Sequence, residues 1–276
     1  MRFAIVNNER TLASPGLSGS CPVCASPLVA KCGRLRVHHW AHRGERDCDQ
    51  WWERRTEWHY NWQNKFPQPW QEIIFREPSG EKHIADVHTT HGLTIEFQYS
   101  HLQPEEREAR ELFYPNLVWV ASGSRLKRDL PRFLEGRQSF TSFLQQGVFT
   151  TRWPEEVFPR NWVGCTVPVF FDFKGASGIS EASMLLTEPL WCLLPGRVDN
   201  LAVIFPVSRE KFVQWAHERP TLVPTEAILA NVAEAIEISR RPTTLPRSRS
   251  LYILQQASLQ HLASSPGRYR TRSRRF

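Results

Sequence analysis

The chain has 276 residues, 41% of them hydrophobic, with eleven Trp and a net charge of +7. That leaves room for one large or two ordinary domains with a real core, and no apolar run reaches the ~18 residues of a membrane-spanning helix. The charge is lopsided: residues 240–276 carry nine Arg and no Asp, Glu or Lys, so they hold +9 and residues 1–239 sum to −2. A basic surplus confined to a tail moves any claim of polyanion binding onto the C-terminus. The first residues are too weakly apolar for a secretory signal, which places the chain in the cytoplasm, off the membrane. Thiols there are reduced, so six Cys read as metal ligands or packed side chains before disulfides.

Met1–Val6 predicts a short strand, followed by polar turns to Ser20. Then comes CPVC (Cys21–Cys24), fourteen intervening residues, and His39-x-x-His42. Two such pairs suit a tetrahedral structural Zn²⁺, which can hold together a loop-rich segment with little core. Cys21, Cys24, His39 and His42 are the expected ligands, with His38, Cys32 and Cys48 near enough to substitute. After a polar connector, Trp51–Phe66 predicts a helix whose Trp58–Trp62–Phe66 stripe packs on a sheet. Its polar members Glu57 and His59 would face a site, while Trp51 and Trp52 are alternatives for base stacking.

Gln71–Phe75 reads as a strand with Glu72 on its exposed face. Ile84–Val87 and Leu93–Phe97 flank a turn-rich linker and read as a hairpin. Asp86 sits in the first strand. Glu96 and Gln98, two apart, share one face of the second. One carboxylate from each strand would meet around a hard cation such as Mg²⁺ or Mn²⁺, which takes oxygen ligands and keeps positions open for water and phosphate. Pro104–Phe113 predicts a charged helix and Leu117–Ala121 an apolar strand. Arg125, Lys127, Arg128, Arg132 and Arg137 then form a basic amphipathic stretch suited to a DNA backbone.

Residues 148–225 read as short apolar strands broken by Pro and Gly, with Val167–Phe173 a buried strand and Cys165 and Cys192 packed thiols. Ser208–His217 and Thr225–Ile238 predict helices. The tail, with a short helix at Leu251–Leu262, is rich in Arg, Ser and Pro. The divisions expected are a zinc-binding module (1–50), a core (51–145), an α+β region (146–239) and a flexible tail (240–276).

Several motifs in order carry a resemblance: CPVC, HHWAH (His38–His42), DCDQWW (Asp47–Trp52), TEWHYNW (Thr56–Trp62), IADV (Ile84–Val87), IEFQYS (Ile95–Ser100) and LVWV (Leu117–Val120). Residues 21–121 thereby resemble the CoiA family of competence proteins. The order of helix, three strands, helix and strand resembles the PD-(D/E)xK nuclease core. The fold class implied is α/β, a nuclease-like core with a mixed sheet flanked by helices, an N-terminal zinc-binding module and an α+β C-terminal extension. The resemblance implies an Mg²⁺- or Mn²⁺-dependent deoxyribonuclease with a structural Zn²⁺. Asp86, Glu96 and the Phe97 carbonyl would hold the metal. Gln98, where many nucleases carry Lys, would orient the water with Glu57 supporting it, and His59, Lys65 and Arg107 would meet phosphate. The lack of a base-reading motif implies low sequence specificity. The role implied is processing of incoming or recombining DNA, or defence against foreign DNA. The alternative is a nuclease-like DNA-binding adaptor that recruits a recombinase or a defence-system protein.

Overall fold

The computed structural model describes residues 1–34, 36–44, 48, 51, 55–76, 80, 82–144, 147–176 and 181–240. The tail beyond Arg240, with the expected helix at Leu251–Leu262, lies outside the described residues, as does Trp52. The chain divides into two compact units, Met1–Leu229 and Ala230–Phe276.

The N-terminal residues form a five-stranded antiparallel sheet from β1 (Phe3–Val6), β2 (Glu9–Leu12), β3 (Ser18–Ser20), β4 (Pro27–Lys31) and β5 (His39–His42), in the order β2-β1-β3-β4-β5. Asn7 and Asn8 connect β1 to β2 with φ of 49° and 66°. Two positive φ values in a two-residue loop are what a right-twisted hairpin requires, and Asn tolerates them best after Gly. Gly19 is fixed by close approach, since a Cβ there would lie 2.8 Å from the Ile5 carbonyl oxygen. Ala4, Leu28 and Trp40 fill a small core that also takes Ile84 from the neighbouring sheet.

The next elements are α1 (Glu57–Gln63), β6 (Gln71–Arg76), β7 (Lys82–His88), β8 (Thr94–Gln98), α2 (Pro104–Phe113) and β9 (Leu117–Ser122). The expected order of elements is present. α1 is shorter than the aromatic stripe suggests because Thr56 caps it, with the His59 ring accepting the Thr56 N–H at 3.2 Å. Trp62 and Phe66 pack on Phe97 of β8 as expected, at 5.7 and 6.4 Å between rings. β6, β7 and β8 are antiparallel, whereas β9 is parallel to β8. α2 supplies the crossover that a parallel pair needs, and Pro104 at its first turn fixes its start.

The remaining elements are α3 (Asp129–Gly136), β10 (Thr141–Leu144), β11 (Val148–Thr151), α4 (Pro154–Val157), α5 (Arg160–Val163), β12 (Val169–Asp172), α6 (Glu181–Thr187), β13 (Leu190–Leu193), β14 (Ala202–Val207), α7 (Arg209–Glu218) and α8 (Thr225–Arg240). Their strands continue the same sheet, giving nine strands in the order β10-β11-β14-β13-β12-β9-β8-β7-β6. β12 lies parallel to β9 and is buried throughout, as its continuous apolar run suggests. A single aromatic-rich core joins Leu117, Trp119 and Ala121 of β9 to Phe133, Phe158, Phe171 and Trp191. α8 crosses the boundary between the two units.

Candidate functional site

The β7–β8 ladder reaches Val87↔Ile95. One residue further, side chains take over the pairing: the Asp86 N–H donates to Glu96 Oε1 at 3.2 Å, and the Phe97 N–H donates to Asp86 Oδ2 at 2.9 Å. The structure thus brings Asp86 and Glu96 together, 5% and 4% exposed. Two carboxylates packed in this way disfavour joint ionisation. Burial first, and then the negative charge of Asp86, push the Glu96 carboxyl up to about 8, against the pull of Arg110 and Arg55.

Two buried guanidiniums answer this charge. Arg55 pairs with Asp86 Oδ1 and, at 3.4 Å, with Glu72 Oε1. Arg110 Nη1 lies 3.2 Å from Glu96 Oε2, while its Nη2 donates to the Trp51 carbonyl at 2.5 Å and pairs with Glu106. Burial alone would lower both guanidiniums, but the carboxylates around them outweigh it and raise both. From α1, Gln63 Nε2 donates to the Asp86 carbonyl at 3.2 Å and to its Oδ1 at 3.4 Å.

Glu72 corrects an expectation. It is buried, not on an exposed strand face. A φ of 47° turns it inward, and its carboxylate accepts the Arg2 N–H at 2.9 Å and the Phe3 N–H at 3.3 Å. Burial by itself would raise this carboxyl; Arg55 and those N–H groups hold it below its ordinary value.

The other expected site residues lie as follows. Gln98 shares the buried strand with Glu96, and its amide donates to the Ser100 carbonyl at 3.3 Å and to Ser100 Oγ at 3.2 Å. Glu57 is exposed in the first turn of α1, and Gln63 is the α1 side chain that reaches Asp86. His59 is buried in the N-cap of that helix. Lys65 is exposed, 5.7 Å from the Trp62 ring. Arg107 is buried, 3.0 Å from Cys165 Sγ and 3.7 Å from Glu111, so the α2 arginine at the carboxylate pair is Arg110, one turn on. Trp51 stacks on His83 at 3.2 Å. Arg55, Gln63 and Arg110 escape a reading by motif. The signal for Arg110 was its i+3 spacing from Arg107, which puts both on one face of α2.

A second cluster lies beside the five-stranded sheet. One ligand atom from each of Cys21, Cys24, His42 and Cys48 falls within 4.8 Å of every other. His42 Nε2 is 3.4 Å from Cys24 Sγ and 3.7 Å from Cys48 Sγ. Tetrahedral zinc with bonds of about 2.0–2.3 Å spaces its ligands by roughly 3.5–3.8 Å, so this Cys₃His donor set could hold Zn²⁺. A hydrogen bond from Cys48 pulls the Cys21 thiol down to about 4, and the same bond pushes Cys48 up. His39, an expected ligand, is replaced by Cys48. Positions 39 and 42 are three apart on β5, and residues an odd number apart on a strand face opposite sides. The His39 ring instead meets the Val37 carbonyl at 2.9 Å.

Residues 19–50 match the family model of the competence protein CoiA, N-terminal domain. All four residues of the Cys₃His cluster fall inside that match. No curated protein and no solved structure matches the chain. Among the described residues, no helix is long and apolar enough to cross a membrane.

Proposed function

We propose that this chain is a metal-dependent deoxyribonuclease of low sequence specificity, serving competence-related DNA processing, recombination or defence against foreign DNA. The buried Asp86–Glu96 pair on adjacent strands carries the reading. It is supported by the order α1-β6-β7-β8-α2-β9, antiparallel and then parallel, in which a PD-(D/E)xK-like core would be built. The competence match of residues 19–50 supports the biological setting.

The donor chemistry fits Mg²⁺ or Mn²⁺: Asp86 Oδ1 and Glu96 Oε2 are carboxylate oxygens, and Arg55 and Arg110 would release them. A bound divalent ion would supply water activation and neutralise a phosphodiester under attack. Gln98, on the face of β8 that carries Glu96, would orient the water through its amide. Gln63 holds the β7 carboxylate in place. Cys21, Cys24, His42 and Cys48 would hold a structural Zn²⁺, whose four protein ligands leave no position for water.

A second reading is a nuclease-like DNA-binding adaptor that recruits a recombinase or a defence-system protein. The observation that favours it is the pairing of Arg55 and Arg110 with the carboxylates, which neutralises the pair without any metal. The test is cleavage of linear, circular and single-stranded DNA with Mn²⁺ or Mg²⁺, wild type beside Asp86→Asn and Glu96→Gln, with Mn²⁺ uptake measured by calorimetry. Cutting that both variants abolish supports the nuclease. DNA binding with neither cutting nor Mn²⁺ uptake moves the reading to the adaptor.

A further inference from the structure

β8 and β9 are parallel, with Gln98 beside Ala121, so both strands leave the sheet at the same end. The segments that leave there line a recess of about 480 Å³. His101 comes from the exit of β8, Arg125 and Arg128 from the exit of β9, Arg132 from α3, and Arg160 from the start of α5. Two carboxylates also line it: Asp129 is held within the recess, where the charges of Arg132, Arg125 and Arg128 act on it, and Glu155 is paired outside it. Asp129 is buried and its Oδ2 accepts the Leu126 N–H at 3.3 Å, with Arg132 at 3.9 Å from Oδ1; Glu155 pairs with Arg197 at 3.4 Å. Among the described residues, no hydrogen bond or ion pair engages the side chains of Arg125, Arg128 or Arg160.

We propose that this recess is a docking subsite for the phosphodiester backbone of duplex DNA. Three guanidiniums free of hydrogen bonds and ion pairs converge from two segments, Arg125 and Arg128 from the β9–α3 connector and Arg160 from α5, and the planar guanidinium fork matches phosphate oxygens. Among the described residues, no Trp, Tyr or Phe lines the recess. The large aromatic platforms on which single-strand sites rely are missing from that lining, and cationic side chains that suit phosphates dominate it. The recess is lined by the segments that follow β8 and β9, and β8 stops at Gln98, two residues past Glu96. From the basic stretch that follows β9, the recess selects Arg125, Arg128 and Arg132, leaves out Lys127 and Arg137, and adds Arg160 from well beyond it.

The inference deepens the DNA reading given above, and its test is independent of cleavage. Fluorescence anisotropy with a duplex and a single-stranded oligonucleotide, with no Mg²⁺ or Mn²⁺ added, would compare the full chain with Arg128→Ala/Arg160→Ala. Both residues are exposed and uncommitted, so the fold is spared. Lys127→Ala/Arg152→Ala, two exposed cations outside the recess, is the charge-matched control. Each phosphate contact contributes a slope of about 0.9 in log K against log salt, so two contacts are worth a slope change of about 1.8 and roughly 30-fold in duplex affinity at 0.15 M salt. The recess variant should show that loss and the control a clearly smaller one. Equal losses in the two doubles, no loss in either, or a loss on single strands as large as on duplex would overturn the inference. A wild-type chain that shows this pattern but never cuts DNA keeps the recess and removes the nuclease.

Discussion

Asp172, the last residue of β12, is 3% exposed and accepts the indole N–H of Trp58 at 3.0 Å and that of Trp62 at 2.9 Å. It also pairs with Arg209 of α7, which reaches the Thr187 carbonyl at 3.2 Å. Residues 37 apart thereby clamp α1, the helix that delivers Gln63 to Asp86. Asp172→Asn keeps the shape, removes the charge and turns one acceptor into a donor among donors. Breaking a buried pair from one side costs about 3–5 kcal/mol, because the remaining charge is left uncompensated. Arg209→Met leaves the opposite charge stranded and should cost about the same. The double variant strands neither charge, so it should fall short of the sum by roughly 2 kcal/mol or more. Urea unfolding at pH 7, with slopes compared to confirm a common unfolded state, reads all three values. If Asp172→Asn lies within about 1 kcal/mol of wild type, or the two losses simply add, the buried clamp is not what holds α1.

Two further outcomes follow from the other clusters. Cys48→Ser should purify without zinc and with a lower Tm, because structural zinc supplies about 10–16 kcal/mol of apparent folding energy in small sites; His39→Ala should keep its zinc, and atomic absorption on both variants would expose an error if the results were reversed. Glu96 is raised to about 8 in the fold, against about 4.3 in an unfolded chain, so the folded state binds this proton more tightly. Its contribution to stability is complete below about pH 4.3 and is lost as pH rises through 8. With no Mg²⁺ or Mn²⁺ added, the urea midpoint should therefore fall between pH 6 and 8.5, and Glu96→Gln should remove most of that fall. A wild-type midpoint that rises over this range, or one that falls equally in the variant, contradicts the assignment.

The elements were legible where local chemistry decides them. Pro104 marks the first turn of α2, the period-2 runs around Asp86 and Glu96 mark β7 and β8, and the unbroken run before Asp172 marks a strand covered on both faces. Tertiary placement was less legible. The HxxH spacing finds a pair of ligands on a helix or loop, but on β5 it splits His39 from His42, and Cys48 completes the cluster. Within α2 the charge pattern offered several arginines, and only the packing of the helix on β8 selects Arg110 over Arg107. Glu57 looked the natural polar partner on α1, yet the cap at Thr56 sets the helix phase so that Gln63 turns inward. Arg55 precedes the helix and belongs to no periodic pattern. Asp172 did leave a trace: a carboxylate closing an apolar run has to find a buried cation or leave the core.

β9 sits between β8 and β12, hydrogen-bonded to both. The strand that follows the candidate core is therefore interior, and the segment from Val169 onward closes its open side. A chain cut short before Val169 would present β9 as a long, flat, apolar edge with unsatisfied N–H and C=O groups, the kind of surface that recruits other copies into aggregates. The same arrangement constrains how such a chain diversifies. Insertions can accumulate in the loops at the sheet edges, but exchanging the later strands for an unrelated partner would require a replacement that matches the β9 ladder register from Trp119 to Ser122.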